Sequence, residues 1–482
     1  MEFSRLAPLF GRLSFSCNMS TTTPRRRLNV ENINQNIREA KYAVRGELAS
    51  RSEKYRAKLE EGHKDLPFDQ VLSILENPKL LEHEDVLVNQ LGYKTDVVDR
   101  ARRLLKEVGS VGAYSASGGA MGIRRTVAKF IEERDGFPAS ADTIYLSAGA
   151  SSAVNTLLHI ICATPNSGVL IPIPQYPLYT ASLKVLDAQA VPYHLEETKN
   201  WSTDLRVIKE SHDKAVSEGV DVRAIVIINP GNPTGGSLER EEVAGVIDFA
   251  AKHHLVIIAD EVYQTNVFKG TFHSFKGVLR EMQKAEPGKY DHVELASLHS
   301  VSKGMIGECG HRGGYFEVVG FDPLVIEQIY KFISISLCAP VIGQCLVDLM
   351  VNPPREGDPS YPLYKEEHDS IFNGLQERAL ALFEAFKTME GVECQDPQGS
   401  MYLFPTINLP SKAIAAAKEA GLEADEFYAG KLLDATGVCI VPGSGFGQKD
   451  GTYHFRTTFL APGTDWVSRI TKFHKEFMNE YR

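Results

Sequence analysis

Ala224 to Gly236 reads A-I-V-I-I-N-P-G-N-P-T-G-G: an apolar, largely β-branched run that breaks into two prolines, three glycines and two asparagines. The run is a buried strand in the making, and the loop after it has a fixed, unusual backbone shape that carries a side-chain amide to the strand's carboxyl end. By itself such a loop is equally well a plain turn. Its neighbours are more informative. Short runs near Ile144 (I-Y-L), near Val169 (V-L-I), from Leu255 (L-V-I-I-A) and from Val293 (V-E-L-A) alternate with helix-length amphipathic stretches. That alternation predicts an α/β fold, a mostly parallel sheet covered by helices on both faces, whose ligands sit beyond the carboxyl ends of the strands. From about Pro353 the pattern changes to a long helix (Tyr364 to Met389), strands near Met401 and Tyr453, and a final helix from Asp465, a smaller α+β domain. Glu31 to Glu61 shows helical spacing with little Gly or Pro and predicts an N-terminal helical arm. The chain thus divides into a basic leader (1–30), the arm with part of the small domain (31–110), a large domain (111–352) and a C-terminal small domain (353–482).

At 482 residues the chain is too long for one compact core. No apolar run approaches the length of a membrane span, and a formal net charge of -10 argues against a nucleic-acid binder. Seven scattered cysteines, without a C-x-x-C pair or a histidine at ligand spacing, read as reduced thiols rather than a disulfide frame or metal site. Met1 to Val30 runs against the acidic balance: Arg5, Arg12 and Arg25 to Arg27 stand against one acid, Glu2, among many Ser and Thr. That composition suits a mitochondrial targeting segment or a plain basic tail, and Met19 offers an internal start. The expected location is the mitochondrial matrix or the cytoplasm.

Two further signals follow apolar runs directly. In I-I-A-D-E-V-Y (Ile257 to Tyr263), Asp260 leaves the end of a strand, where a carboxylate needs a cation or strong donors, a structural salt bridge being the usual answer. In S-L-H-S-V-S-K-G (Ser297 to Gly304), Lys303 sits in a Ser- and Gly-rich loop. It is either a solvated lysine or, if desolvated, a nucleophilic amine.

Taken in order, N-P-G-N-P-T-G, D-E-V-Y, S-V-S-K-G and G-H-R-G-G-Y resemble the fold-type I aminotransferases that use pyridoxal 5'-phosphate (PLP). The run S-K-G-M-I-G-E-C-G-H-R-G-G-Y-F-E (Ser302 to Glu317), with A-V-R-G-E-L near Ala43 and G-A-Y-S-A-S-G near Gly112, is similar to the alanine aminotransferase subgroup. The resemblance implies that Lys303 holds PLP as a Schiff base and shuttles the substrate's α-proton, and that Asp260 pairs with the pyridine nitrogen. It implies that Asn232 and Tyr263 bond the ring oxygen, that Tyr176 (in I-P-Q-Y-P-L-Y) stacks on the ring, and that Ala150, Ser151, Ser300 and Arg312 take the phosphate. The first pair would do so at the start of an apolar helix. Tyr114 resembles the tyrosine that reaches a neighbouring subunit's phosphate, which implies a homodimer. Arg456, in Y-H-F-R-T-T-F, matches the arginine that grips the substrate α-carboxylate. The implied reaction is L-alanine + 2-oxoglutarate to pyruvate + L-glutamate, with amino acids and 2-oxo acids as partners.

One departure stands out. A family segment with a motif like N-I-G-N-P-Q, expected between L-P-F-D-Q (Leu66 to Gln70) and V-L-S-I-L-E-N-P, is missing. Because it helps close the site, a catalytically impaired variant is a competing expectation. So are a glutamate:glyoxylate aminotransferase, an aminocyclopropane-carboxylate synthase, and a PLP-fold protein that only binds.

Overall fold

The structure, a computed structural model, describes residues 67–482 and Asn36. The basic leader, A-V-R-G-E-L and, Asn36 apart, the expected arm lie outside the described residues. Seven strands, β1 (Ile144–Ser147), β2 (Ser167–Ile173), β3 (Gln189–His194), β4 (Asp221–Ile228), β5 (Val256–Asp260), β6 (Leu295–Ser300) and β7 (Gly314–Val319), form one sheet in the order β1-β7-β6-β5-β4-β2-β3. The pairings β3-β2-β4-β5-β6 are parallel, and β7 runs antiparallel to both β6 and β1. The expected mostly parallel α/β sheet is present, with one reversed strand that sequence periodicity did not single out.

Burial along β4 shows why the runs are apolar throughout. Ala224 and Val226 pack with the helices Ala150–Ile161, Leu178–Val185 and Pro323–Ile335, whereas Ile225 and Ile227 pack with Leu205–Ser217, Arg240–His253 and Phe275–Ala285. With side chains alternating across the sheet, a strand covered on both faces needs an apolar residue at every position. Beyond 361, the helices Tyr361–Lys387, Ala424–Thr436 and Asp465–Tyr481 build a separate core with Leu403 and Phe455, which lie in a three-stranded sheet formed with Val441–Pro442. These elements agree with the expected α+β region to within a few residues at their ends.

The described part of the 31–110 stretch packs elsewhere. Val71, Ile74, Leu75, Val98, Ala101 and Leu104 share a core with the helices Met121–Asp135 and Val341–Val351, and Arg103 is ion-paired with the fully buried Asp348. Gln70 and Val71, where the family segment is missing, are consecutive residues of one helix, Pro67–Glu76, whose Val71, Leu72, Ile74 and Leu75 are buried. Among the described residues no helix is long and apolar enough to cross a membrane.

Candidate functional site

Parallel strands end at the same edge of a sheet, and β4, β5 and β6 end side by side: Ile228 is opposite Asp260, and Asp260 is opposite Leu298. The loops that follow carry Asn232, Tyr263 and Lys303. β1 ends at the same edge and leads to Ala150 and Ser151. β7, being reversed, begins there, with Gly314 paired to both Ser147 and Ser300. The reversal brings Arg312, two residues upstream, to the edge where the other strands finish. The contact is close: a Cβ on Gly314 would stand 2.9 Å from the backbone of Gly149.

Asp260 is buried at the centre of this edge. Its Oδ2 accepts a 2.8 Å hydrogen bond from the Tyr179 hydroxyl, while Oδ1, also buried, has no hydrogen-bond partner among the described residues. Burial pushes the Asp260 carboxyl above its ordinary range, opposed by the Tyr179 hydroxyl, the Val262 backbone N–H and the Lys303 charge. A buried carboxylate oxygen in this state calls for a cationic donor, and the protonated ring nitrogen of PLP is such a donor.

Around Lys303 the polar groups form a closed circuit. Lys303 Nζ lies 3.4 Å from Tyr402 Oη, which is 3.0 Å from Tyr263 Oη. Asn232 Nδ2 donates to Tyr263 Oη over 3.4 Å, and Asn232 Oδ1 accepts from Arg456 Nη1 at 3.1 Å. Arg456 closes the circuit: its guanidinium carbon lies 4.3 Å from the Tyr402 ring centroid and 4.8 Å from that of Phe446. Arg456 is 8% exposed, its Nε has no hydrogen-bond partner, and no carboxylate pairs with it among the described residues. Burial alone would push the Tyr402 phenol up, but Lys303 and Arg456 outweigh it and hold this phenol below its ordinary range, while burial and Tyr402 push Tyr263 up.

An anion site adjoins. Gly149, at φ +78°, caps the helix Ala150–Ile161, and its left-handed backbone is one that a residue with a Cβ adopts only under strain. Arg312 Nη2 donates to Ala148 O (2.8 Å) and Ser151 Oγ (3.2 Å), which sets its charge beside the helix's first-turn amides. A helix N-terminus with an arginine is matched to a phosphate. Ser300 faces inward: its Oγ lies 3.0 Å from Gly313 O and Ser302 Oγ and accepts the Ser302 N–H, bracing the loop that carries Lys303.

Of the residues expected from sequence, Asn232, Tyr263, Lys303 and Arg456 are joined by the circuit, Asp260 stands at the adjoining strand end bonded to Tyr179, and Ala150, Ser151 and Arg312 share the anion site. Tyr176 is half-buried just before the helix Leu178–Val185, which bears Tyr179. Tyr114 is not brought into this site; it is 80% exposed. Tyr179 and Tyr402 are additions. Tyr179 lies three residues beyond Tyr176 in Y-P-L-Y, and nothing local to that motif distinguishes the two. Tyr402, in Q-G-S-M-Y-L-F, carries no signal apart from its strand. The donor set as a whole fits PLP: an orphaned acceptor for the ring nitrogen, an anion site for the phosphate, and between them a lysine with no carboxylate partner among the described residues.

Comparison with known proteins agrees with this geometry. Residues 87–469 match the family model described as aminotransferase class I and II. The mitochondrial alanine aminotransferase of Saccharomyces cerevisiae is 50% identical, over 95% of this chain and 82% of that protein. A second protein of that yeast, named an inactive alanine aminotransferase, is 46% identical over 95% of this chain and 96% of its own length. Among solved structures, an aminotransferase from Escherichia coli superposes with a TM-score of 0.70 at 21% identity, covering 95% of this chain and 99% of that one, a likeness of fold alone.

Proposed function

Because the chain belongs to the class I and II aminotransferases, a family of PLP-dependent transaminases, we propose that it moves the amino group of L-alanine to 2-oxoglutarate, giving pyruvate and L-glutamate, with PLP as its cofactor. The observation that carries this reading is Arg456, buried between two aromatic rings with no carboxylate partner among the described residues. An unpaired buried cation is costly. A planar fork of N–H donors in that state is relieved by the α-carboxylate that every amino-acid and 2-oxo-acid substrate shares. The preference for alanine is supported by the name of the mitochondrial yeast relative at 50% identity.

In this reading Ala150, Ser151, Ser300 and Arg312 hold the phosphate, Asn232 and Tyr263 bond the ring oxygen, Tyr176 packs against the ring, and Asp260 Oδ1 retains the proton on the ring nitrogen. The bound cofactor supplies an electron-poor ring that accepts the pair left at the substrate α-carbon. Lys303 anchors it covalently and, once released by substrate, carries the proton from the α-carbon. Arg456 fixes the carboxylate and so aims the Cα–H bond at Lys303.

Exposed Tyr114, with Leu324, Ile335 and Leu337 exposed around the helix Pro323–Ile335, supports a homodimer in which Tyr114 reaches the partner's cofactor phosphate. The basic leader and the mitochondrial relative support a mitochondrial matrix location, with cytoplasm the alternative. The division at 352, with the cofactor in 111–352, is supported by the separate core beyond 361, whereas residues 71–104 share the core of the helices Met121–Asp135 and Val341–Val351.

The test is pyruvate release from L-alanine by purified, PLP-loaded protein, coupled to NADH oxidation and dependent on 2-oxoglutarate. Turnover of glutamate with glyoxylate but not of alanine would replace the substrate assignment. No turnover with any amino donor would leave a binding role.

A further inference from the structure

Tyr402 is buried, and its hydroxyl lies between Lys303 Nζ (3.4 Å) and Tyr263 Oη (3.0 Å) while its ring lies beneath Arg456. Resting on the transaminase reading above, we propose that Tyr402 is a further catalytic residue, whose hydroxyl takes and returns a proton on Lys303 Nζ while its ring seats the carboxylate-binding Arg456.

The need for such a group follows from the chemistry assigned to Lys303. Only a neutral amine can take the α-proton, yet an amine set free in a polar cage readily acquires a proton. The charged and titratable groups facing Tyr402 are Lys303, Arg456 and Tyr263, and the first two are cations that favour its phenolate. Phenolate beside ammonium passes to phenol beside amine when the Lys303 N–H bond breaks and the Tyr402 O–H bond forms. One proton moves, the two opposite charges vanish together, and no other reactant is consumed. The phenol then donates to Nζ and keeps the amine neutral until it takes the substrate proton. A separation of 3.4 Å is long for this bond, and such contacts shorten when the site is loaded. The Tyr263 hydroxyl and the ring stacking on Arg456 hold the phenol in place, so the group that moves the proton and the group that holds the carboxylate share one side chain.

The test uses Tyr402→Phe, which keeps the ring. In the apoenzyme, the rate at which a small amine-reactive reagent labels Lys303, followed by peptide mass spectrometry across pH, reports when the amine becomes neutral. Losing the hydroxyl removes the phenolate that pairs with the ammonium, so that midpoint is expected to move down by about one pH unit, the reciprocal of the pull of Lys303 on the phenol. The wild-type apoenzyme is also expected to form one tyrosinate, seen in the ultraviolet, at a lower pH than Tyr402→Phe does. In the PLP-loaded enzyme, kcat for alanine should fall roughly a hundredfold with KM little changed, the scale of a lost acid–base partner. An unchanged labelling midpoint overturns the proposal, and so does a rise in KM with kcat intact, which would leave Tyr402 only as a seat for Arg456. If the wild type itself makes no pyruvate, the transaminase reading fails, and the apoenzyme labelling still decides whether Tyr402 and Lys303 share a proton.

Discussion

Replacing Arg456 with lysine tests the substrate grip at its most exposed assumption. The guanidinium is held by a 3.1 Å bond to Asn232 Oδ1 and by rings 4.3 and 4.8 Å from its carbon, and its Nε has no hydrogen-bond partner among the described residues. Lysine keeps the charge but offers a carboxylate one point contact instead of two parallel bonds, and it loses the planar stacking between Tyr402 and Phe446. One charge-assisted hydrogen bond is worth about 1.5–3 kcal/mol. At 1.4 kcal/mol per decade, kcat/KM should therefore fall roughly 10- to 150-fold. Both half-reactions use one carboxylate site in turn, so the loss should be of similar size for alanine and for 2-oxoglutarate, with most of it in KM. Single-turnover kinetics of each half-reaction, read from the cofactor's absorbance, measure this directly. A loss confined to one substrate would mean that Arg456 reads a side-chain carboxylate. A change below about threefold for both would refute the grip altogether, since it is smaller than one such bond.

Lys303→Ala is expected to abolish turnover and leave PLP held without a covalent bond; borohydride reduction and peptide mapping of the wild type should place the phosphopyridoxyl label on Lys303 and on no other lysine. Asp260→Ala should cost roughly a hundredfold or more in kcat, the scale of one lost electrostatic partner, yet keep PLP bound through the phosphate site, as equilibrium dialysis would show. Gly149→Ala places a Cβ 2.4 Å from Arg312 Nη2 at φ +78° and should weaken PLP binding about tenfold, one displaced charge-assisted bond; unchanged affinity would remove Arg312 from the phosphate site. Glu261, beside Asp260, is pushed up to about 7 by burial, against the pull of Arg134. Its folded value lies above the unfolded one, so the folded state binds the proton more tightly, and stability is highest below the ordinary carboxyl pKa and falls as pH rises toward 7. Between about pH 5 and pH 8 the wild type should lose roughly 3 kcal/mol that Glu261→Gln does not, read from urea unfolding at the two pH values.

Several of these groups were legible in the sequence because their signals are local. A strand buried on both faces must be apolar at every position, so β4, β5 and β6 are visible as runs. Chemistry in a parallel sheet gathers where such runs end, so Asn232, Asp260 and Lys303 stand out within a few residues of a recognisable strand. Arg456 and Arg312 were legible only through the resemblance of their flanking motifs, since an arginine on a strand or in a loop is ordinarily solvated. The tertiary structure decided what is joined across the chain. Tyr402 meets Lys303 from 99 residues away and Tyr263 from 139, and Tyr179 reaches Asp260 from 81. No periodicity or spacing encodes such contacts. The reversal of β7 carries Arg312 to the edge where the other strands finish, and a strand's direction depends on the sheet it enters rather than on its own residues. That Gln70 and Val71, read from a motif as a junction, lie within one helix with a buried apolar face is likewise visible only in the structure. Sequence determines which segments become strands and which residues stand at their ends, because backbone pairing and burial act residue by residue; the cage itself is decided by packing, which brings together side chains that share no local signal.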